Sequence, residues 1–237
     1  MTADKKVPSA KSTPADVNAF LSKVAATPVN NRAGERGRLM FAMDATASRQ
    51  PSWDQAAEIQ AEMFIATQAL GGLEIQLAFY RGFGEFRVSK WTASAEDLLR
   101  LMTSVFCLAG HTQIGKVLSH AANESKAKKV NAVVFVGDCI EEDVDRLGAL
   151  AGELGLLGVP VFMFHEGNDA AAAFAFQQVA RLSGGAYCRF DADAADVLKR
   201  LLSAVAVYAA GGRRALENYA KKEGGDILRI AHQMKGG

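Results

Sequence analysis

The sequence predicts an α/β domain: a doubly wound, mostly parallel six-stranded sheet with one short antiparallel edge strand and helices on both faces. Three observations carry this. Short, continuous apolar runs such as Leu39-Met40-Phe41-Ala42-Met43 and Ala132-Val133-Val134-Phe135-Val136 fit strands covered on both sides. Between such runs lie stretches of ten or more residues with apolar positions at helical spacing, and that alternation specifies a parallel sheet with right-handed crossovers. One pair of neighbouring strands is joined only by Arg81-Gly82-Phe83-Gly84. That connection is too short for a crossover and implies an antiparallel hairpin.

Residues 1–13 are dominated by Lys, Ser, Thr, Ala and Pro and are expected to form a disordered basic tail. Residues 14–36 are expected to hold one short helix, with Pro14 in its first turn and Val17, Phe20, Leu21 and Val24 on one stripe, followed by a linker. The main domain is placed at 37–210. Its first strand is Leu39 to Met43. A helix from Trp53 to Leu70 follows, ended by Gly71-Gly72. Glu74 to Tyr80 and Phe83 to Trp91 form the hairpin. Ser94 caps a helix running to Phe106, with Glu96 and Asp97 in its first turn. Another helix spans about Thr112 to Ser125. The strand Ala132 to Val136, the helix Glu142 to Leu157 and the strand Val159 to Phe164 come next. The helix Ala170 to Leu182, the strand Ala186 to Phe190 and the helix Ala194 to Ala209 complete the domain. Residues 211–237 are expected to be a helical extension of two short helices broken at Gly224-Gly225. The second of these carries Ile227, Ile230, Ala231 and Met234 on one stripe.

Composition narrows the function. The 237 residues are 49% hydrophobic and 22% charged, with a net charge of +1, as in a folded globular protein. Near-neutrality argues against nucleic acid as the main ligand. No stretch approaches the roughly 18 apolar residues of a bilayer span, so no membrane partner is expected. The amino-terminal stretch has no apolar core of a secretory signal. Cys107, Cys139 and Cys188 are odd in number and far apart. They suit neither a disulfide framework nor a zinc ribbon, and a cytoplasmic location fits them best. The total of +1 hides a pattern. Residues 1–38 carry seven basic and three acidic residues, and residues 211–237 six and three. The body between them holds fourteen basic and twenty acidic residues, a net of −6.

Ligands of an open parallel sheet bind at the carboxyl ends of its strands, where the winding direction switches. Asp44, Thr46 and Ser48 follow the first strand at alternate positions, so their oxygens can point one way from an extended loop. An oxygen-only set suits Mg²⁺, Mn²⁺ or Ca²⁺. Asp138 ends another buried strand, and two carboxylates at one sheet edge repel unless a cation lies between them. Thr112 sits in Gly110-His111-Thr112-Gln113-Ile114-Gly115 before a helix. Each piece also admits a plainer reading: Ser48 as a helix cap, Asp44 as a backbone acceptor, and Thr112 as an N-cap.

The three pieces in this order, Asp-x-Thr-x-Ser, Gly-x-Thr-x-x-Gly and an apolar strand ending in Asp, resemble the von Willebrand factor type A (vWA) family over about residues 37–210. In that family the signature forms a metal-ion-dependent adhesion site, MIDAS. The resemblance implies that Asp44, Thr46, Ser48, Thr112 and Asp138 hold Mg²⁺ or Mn²⁺. Thr46 and Ser48 would contact the ion directly, and Thr112 directly or through water. Asp44 and Asp138 would act mostly through water and as charge. One position would stay open for a Glu or Asp of a partner protein, with no bond made or broken, and intracellular members usually serve within larger assemblies. Two positions depart from the family pattern: His111 stands where a small residue is usual, and Cys139 where Gly is usual. His111 is expected to be a loop histidine bonded to backbone, and Cys139 a small buried residue.

Two rival readings remain. Asp44 and the acidic run Asp138-Cys139-Ile140-Glu141-Glu142-Asp143 also look like haloacid-dehalogenase-type phosphohydrolases, with Asp44 as nucleophile, Asp138 as Mg²⁺ ligand and a lysine such as Lys116 on the phosphate. Thr46 stands there where an acid/base Asp is usual, and a helix follows where that family has a flap hairpin. The other rival is a vWA scaffold with a non-functional metal site. His165 is expected near the same edge, and His120 on a helix surface. Lys126, Lys128 and Lys129 are expected to be a solvated helix end.

Overall fold

The computed structural model describes residues 14–26, 36–68, 71–190 and 195–222. The basic tail, most of the linker and the second helix of the extension lie outside them. Six strands form one sheet: β1 Gly37–Asp44, β2 Leu73–Arg81, β3 Glu85–Val88, β4 Ala132–Gly137, β5 Val161–Glu166 and β6 Tyr187–Phe190. Their order is β3-β2-β1-β4-β5-β6. Only β3 runs antiparallel, against β2, and the other neighbours are parallel. The predicted fold class is the observed one.

Strand alternation assigns the two cores. Leu39, Phe41 and Met43 point to one face, where they meet α1 (Pro14–Ala26), α2 (Gln50–Ile59), α3 (Ala61–Thr67), α4 (Ala95–Thr103) and α8 (Ala195–Lys222). Met40 and Ala42 point to the other, against α5 (Ile114–Ala127), α6 (Val144–Leu156) and α7 (Ala170–Ser183). All eight β1 residues are buried, which is why its sequence is continuously apolar rather than alternating.

Local chemistry sets the helix ends. Ser94 accepts from the Asp97 N–H, Asp143 from Arg146 and Asp169 from Ala172, each satisfying a donor of the first turn. Gly184 closes α7 at φ 75°, a conformation glycine adopts without steric cost. Gly37 permits close packing instead: a Cβ there would stand 2.3 Å from the Ala209 carbonyl oxygen of α8.

Two predicted helices differ in extent. The helix expected over Trp53–Leu70 starts earlier, after a 3₁₀ turn at Ala47–Arg49, with Pro51 in its first turn, and breaks at Gln60. There Met63 N–H bonds the Gln60 carbonyl three residues back, and the buried Gln60 amide reaches across to the Ala95 carbonyl. A tertiary bond outweighs local periodicity. The last helical segment runs past Ala209 to Lys222 as two helices that meet at a kink at Gly212 (φ 73°, ψ −168°). Lys126 and Lys128 pair with Glu153 and Glu74, and Lys129 donates to the Leu157 and Gly158 carbonyls at the end of α6. His120 is half-buried against Phe86 and bonded to Gln76, more enclosed than expected. Among the described residues no helix is long and apolar enough to cross a membrane.

Candidate metal centre

The switch in winding direction lies between β1 and β4, and Asp44, Thr46, Ser48 and Asp138 stand at or just after the carboxyl ends of these two strands. Asp44 is the last residue of β1 and fully buried. Its Oδ1 accepts the Thr46 N–H at 2.7 Å, which tightens the turn out of the strand. Its Oδ2 is buried without a hydrogen-bond partner. Asp138 follows β4. Its Oδ2 accepts from Ser48 Oγ at 2.9 Å, and its Oδ1 is also buried without a partner. The plainer reading of Ser48 as a helix cap does not hold, because its hydroxyl serves the neighbouring loop. Tyr80, paired in register with Asp44, brings its buried hydroxyl up to the Asp44 carboxyl without a hydrogen bond of normal geometry.

Thr112 comes from the loop before α5. It is not the N-cap of that helix; Gln113 is. Glu141 N–H donates to Thr112 Oγ1, and Thr112 N–H donates to Glu141 Oε2, both at 3.0 Å. The neighbouring Glu142 accepts the Ile114 and Gly115 N–H groups, placing a carboxylate on the positive end of α5. His111 meets Glu141 Oε2 at 2.9 Å and packs its ring on Phe83, 5.2 Å between centroids. A carboxylate, not the expected backbone group, is therefore its partner.

Burial pushes the Asp44 carboxyl up to about 6, and the nearby Asp138 adds to the rise, while the Thr46 bonds and Arg49 oppose it. Arg49 is itself buried, with Nη2 2.6 Å from Glu166 Oε2, and Ser52 Oγ donates to the same oxygen. His165 lies at this edge as expected, fully buried, between the Tyr187 hydroxyl and the Asp138 carbonyl. Burial pushes its imidazole down, toward the neutral form.

Sequence reasoning missed one member of the cluster. The Cys139 Sγ and carboxylate oxygens of Asp44 and Asp138 all lie within 4.8 Å of one another. Burial and Asp138 push the thiol up to about 12. The only sequence signal was that Cys139 directly follows Asp138. Arg49, Tyr80, Glu141 and Glu142 were missed as well. The two glutamates had been noticed only as part of an acidic run, and they serve to hold the Thr112 loop.

These residues fit a cation. Two carboxylates converge, each keeps one oxygen without a protein donor, and the arrangement raises the proton affinity of Asp44; a positive charge would relieve all three conditions. Two shallow clefts lie elsewhere, one of ≈ 680 Å³ between α1 and α7 and one of ≈ 450 Å³ near Phe64 and Ile65, and neither includes a site residue. Around the rim, Phe83 is 84% exposed, Phe106 69% and Leu108 48%. Their loops are joined by Gly82 N–H to the Leu108 carbonyl, and Leu108 N–H bonds Ala45 beside the site.

No family model matches the sequence, and no curated protein matches it. Solved structures do. The SpRpn10 VWA domain aligns over 75% of this chain and 98% of its own, with a TM-score of 0.53 and 16% identity. A D319A mutant of the PilB minor pilin from Streptococcus sanguinis aligns over 79% of this chain and 64% of its own, with a TM-score of 0.58 and 8% identity. Proximal thread matrix protein 1 from the mussel byssus, solved with a zinc-occupied MIDAS motif, aligns over 75% and 49%, with a TM-score of 0.52 and 13% identity. At these identities the likeness is one of fold, and the fold is that of vWA domains.

Proposed function

We propose that this chain is a metal-dependent protein–protein interaction module. Asp44, Thr46, Ser48, Thr112 and Asp138 hold a divalent cation, Mg²⁺ or Mn²⁺ on their oxygen donors alone, and a Glu or Asp of a partner protein completes its coordination. The observation that carries this reading is the pair of buried, unpartnered oxygens, Asp44 Oδ2 and Asp138 Oδ1, at the switch point of a vWA-type sheet. The bound cation supplies an electrophilic charge that prefers an incoming carboxylate to water. The chain's own residues prepare for it. Ser48 ties the β1 loop to Asp138, and Glu141 and Glu142 hold the Thr112 loop in place. Arg49 is paired with Glu166, so its guanidinium is held away from direct contact with the acidic pair. The exposed Phe83, Phe106 and Leu108 offer apolar area beside the metal, as a protein interface needs at its core. Three free cysteines accord with a place in an intracellular assembly.

The test is capture of partners on the immobilised chain with and without EDTA. Partners lost on chelation, restored by added Mg²⁺ or Mn²⁺ and absent with Asp44→Ala support the reading. Capture unchanged by chelation sinks it. The phosphohydrolase alternative finds no support in the chain after Asp44, where a 3₁₀ turn and α2 replace a flap hairpin. Mg²⁺-dependent turnover of a generic phosphate ester that disappears in Asp44→Asn would reinstate it.

A further inference from the structure

We infer that Cys139 is a ligand of this site and that the site therefore takes a thiophilic, borderline cation of the zinc or cobalt class ahead of Mg²⁺. The inference rests on the reading that the site holds a cation, and it changes which cation. The Cys139 Sγ and one oxygen each of Asp44 and Asp138 stand within 4.8 Å of one another. Ligands on one tetrahedral zinc, with bonds of about 2.0–2.3 Å, stand roughly 3.3–3.8 Å apart, so side-chain adjustments of about 1 Å close the set. The carboxylates are available for this, because Asp44 Oδ2 and Asp138 Oδ1 make no hydrogen bond of normal geometry, the groups nearest them are the Tyr80 hydroxyl and the Cys139 thiol itself, and Asp44 is 0% exposed. The thiol is free of any disulfide and half-buried, and it directly follows Asp138, so both donors leave the end of one strand.

Hard oxygens alone rank cations by charge and size, whereas one thiolate adds a bond that Mg²⁺ does not use and Zn²⁺ and Co²⁺ do. Binding forms one metal–sulfur bond and releases the thiol proton to solvent; no electron is transferred. Two carboxylates and one thiolate leave the complex at −1 before the hydroxyls of Thr46, Ser48 and Thr112 are considered.

Cobalt(II) titrated into the full chain tests this, because sulfur-to-cobalt charge transfer absorbs in the near ultraviolet and oxygen ligation does not. The wild type is expected to develop the band, as is a Cys107→Ser control. Cys139→Ser is expected to bind cobalt without it. In the same variant, zinc affinity measured by competition should fall about ten-fold or more. Cobalt bound by the wild type without a sulfur band, or Cys139→Ser holding zinc as tightly as wild type, overturns the assignment while leaving an oxygen-only metal site standing. Failure of Mg²⁺, Mn²⁺, Zn²⁺ and Co²⁺ alike to bind overturns both readings.

Discussion

Thr112 and Glu141 hold each other twice: each backbone N–H donates to the other's side-chain oxygen at 3.0 Å. The two residues belong to different loops, one before α5 and one after β4. The paired bonds therefore fix the distance between the Thr112 hydroxyl and the strand end that carries Asp138. Glu141→Ala removes the side-chain half of this clasp. It also frees His111, which together with the larger effect of the Thr112 N–H holds the Glu141 carboxyl below its usual range. We expect a modest loss of stability, about 1 kcal/mol, and a larger loss of cation affinity, about ten-fold, as is typical when an orienting contact is removed. Melting curves without metal and a metal titration separate the two effects.

Asp44 gives the chain a pH dependence of defined sign. Its folded value of about 6 lies above the ordinary value of 3.8, so between these values the metal-free fold binds a proton that the unfolded chain does not. That contribution is fully present below about pH 4 and is lost as pH rises through about 6, leaving the ionised form destabilised by on the order of 3 kcal/mol. Asp44→Asn should therefore raise the melting temperature in EDTA at pH 7.5 and flatten the decline between pH 4 and 6. The same variant should show no stabilisation by divalent cations. A metal-free Asp44→Asn protein that melts below wild type at pH 7.5 would contradict the burial argument.

The buried pair Arg49–Glu166 is expected to behave as a unit. Arg49→Met leaves Glu166 with only Ser52 as a donor, and loss of one partner of a buried pair costs about 3 kcal/mol. Arg49→Met combined with Glu166→Gln should recover much of that loss, since no buried charge then stands alone. Denaturant unfolding of the two single variants and the double variant measures the coupling.

Two glycines should respond in opposite directions. Gly37→Ala places a Cβ 2.3 Å from the Ala209 carbonyl oxygen, so β1 and α8 must separate, at a cost of about 1–3 kcal/mol. Gly152 lies inside α6, where a Cβ would meet nothing within 4 Å. Gly152→Ala should stabilise the fold by about 0.5–1 kcal/mol through helix propensity.

By itself the sequence determined the alternation of strands and helices, the antiparallel hairpin at Gly82-Phe83-Gly84 and the cap at Ser94. These follow from local rules: side-chain period, turn chemistry and the orphan donors of a first helical turn. It also pointed to the sheet edge where Asp44 and Asp138 meet, because both directly follow continuously apolar runs. Only the tertiary structure decided what surrounds them. That Ser48 serves Asp138 instead of a helix, that Glu141 and Glu142 hold the Thr112 loop, and that the Cys139 sulfur lies within 4.8 Å of oxygens of both aspartates are facts about three loops meeting. Residues 44, 112 and 138 are distant in the chain, and no periodicity encodes the direction of a side chain in a loop. Packing of the sheet and its two helical layers brings them together, and burial at that junction sets the chemistry they share.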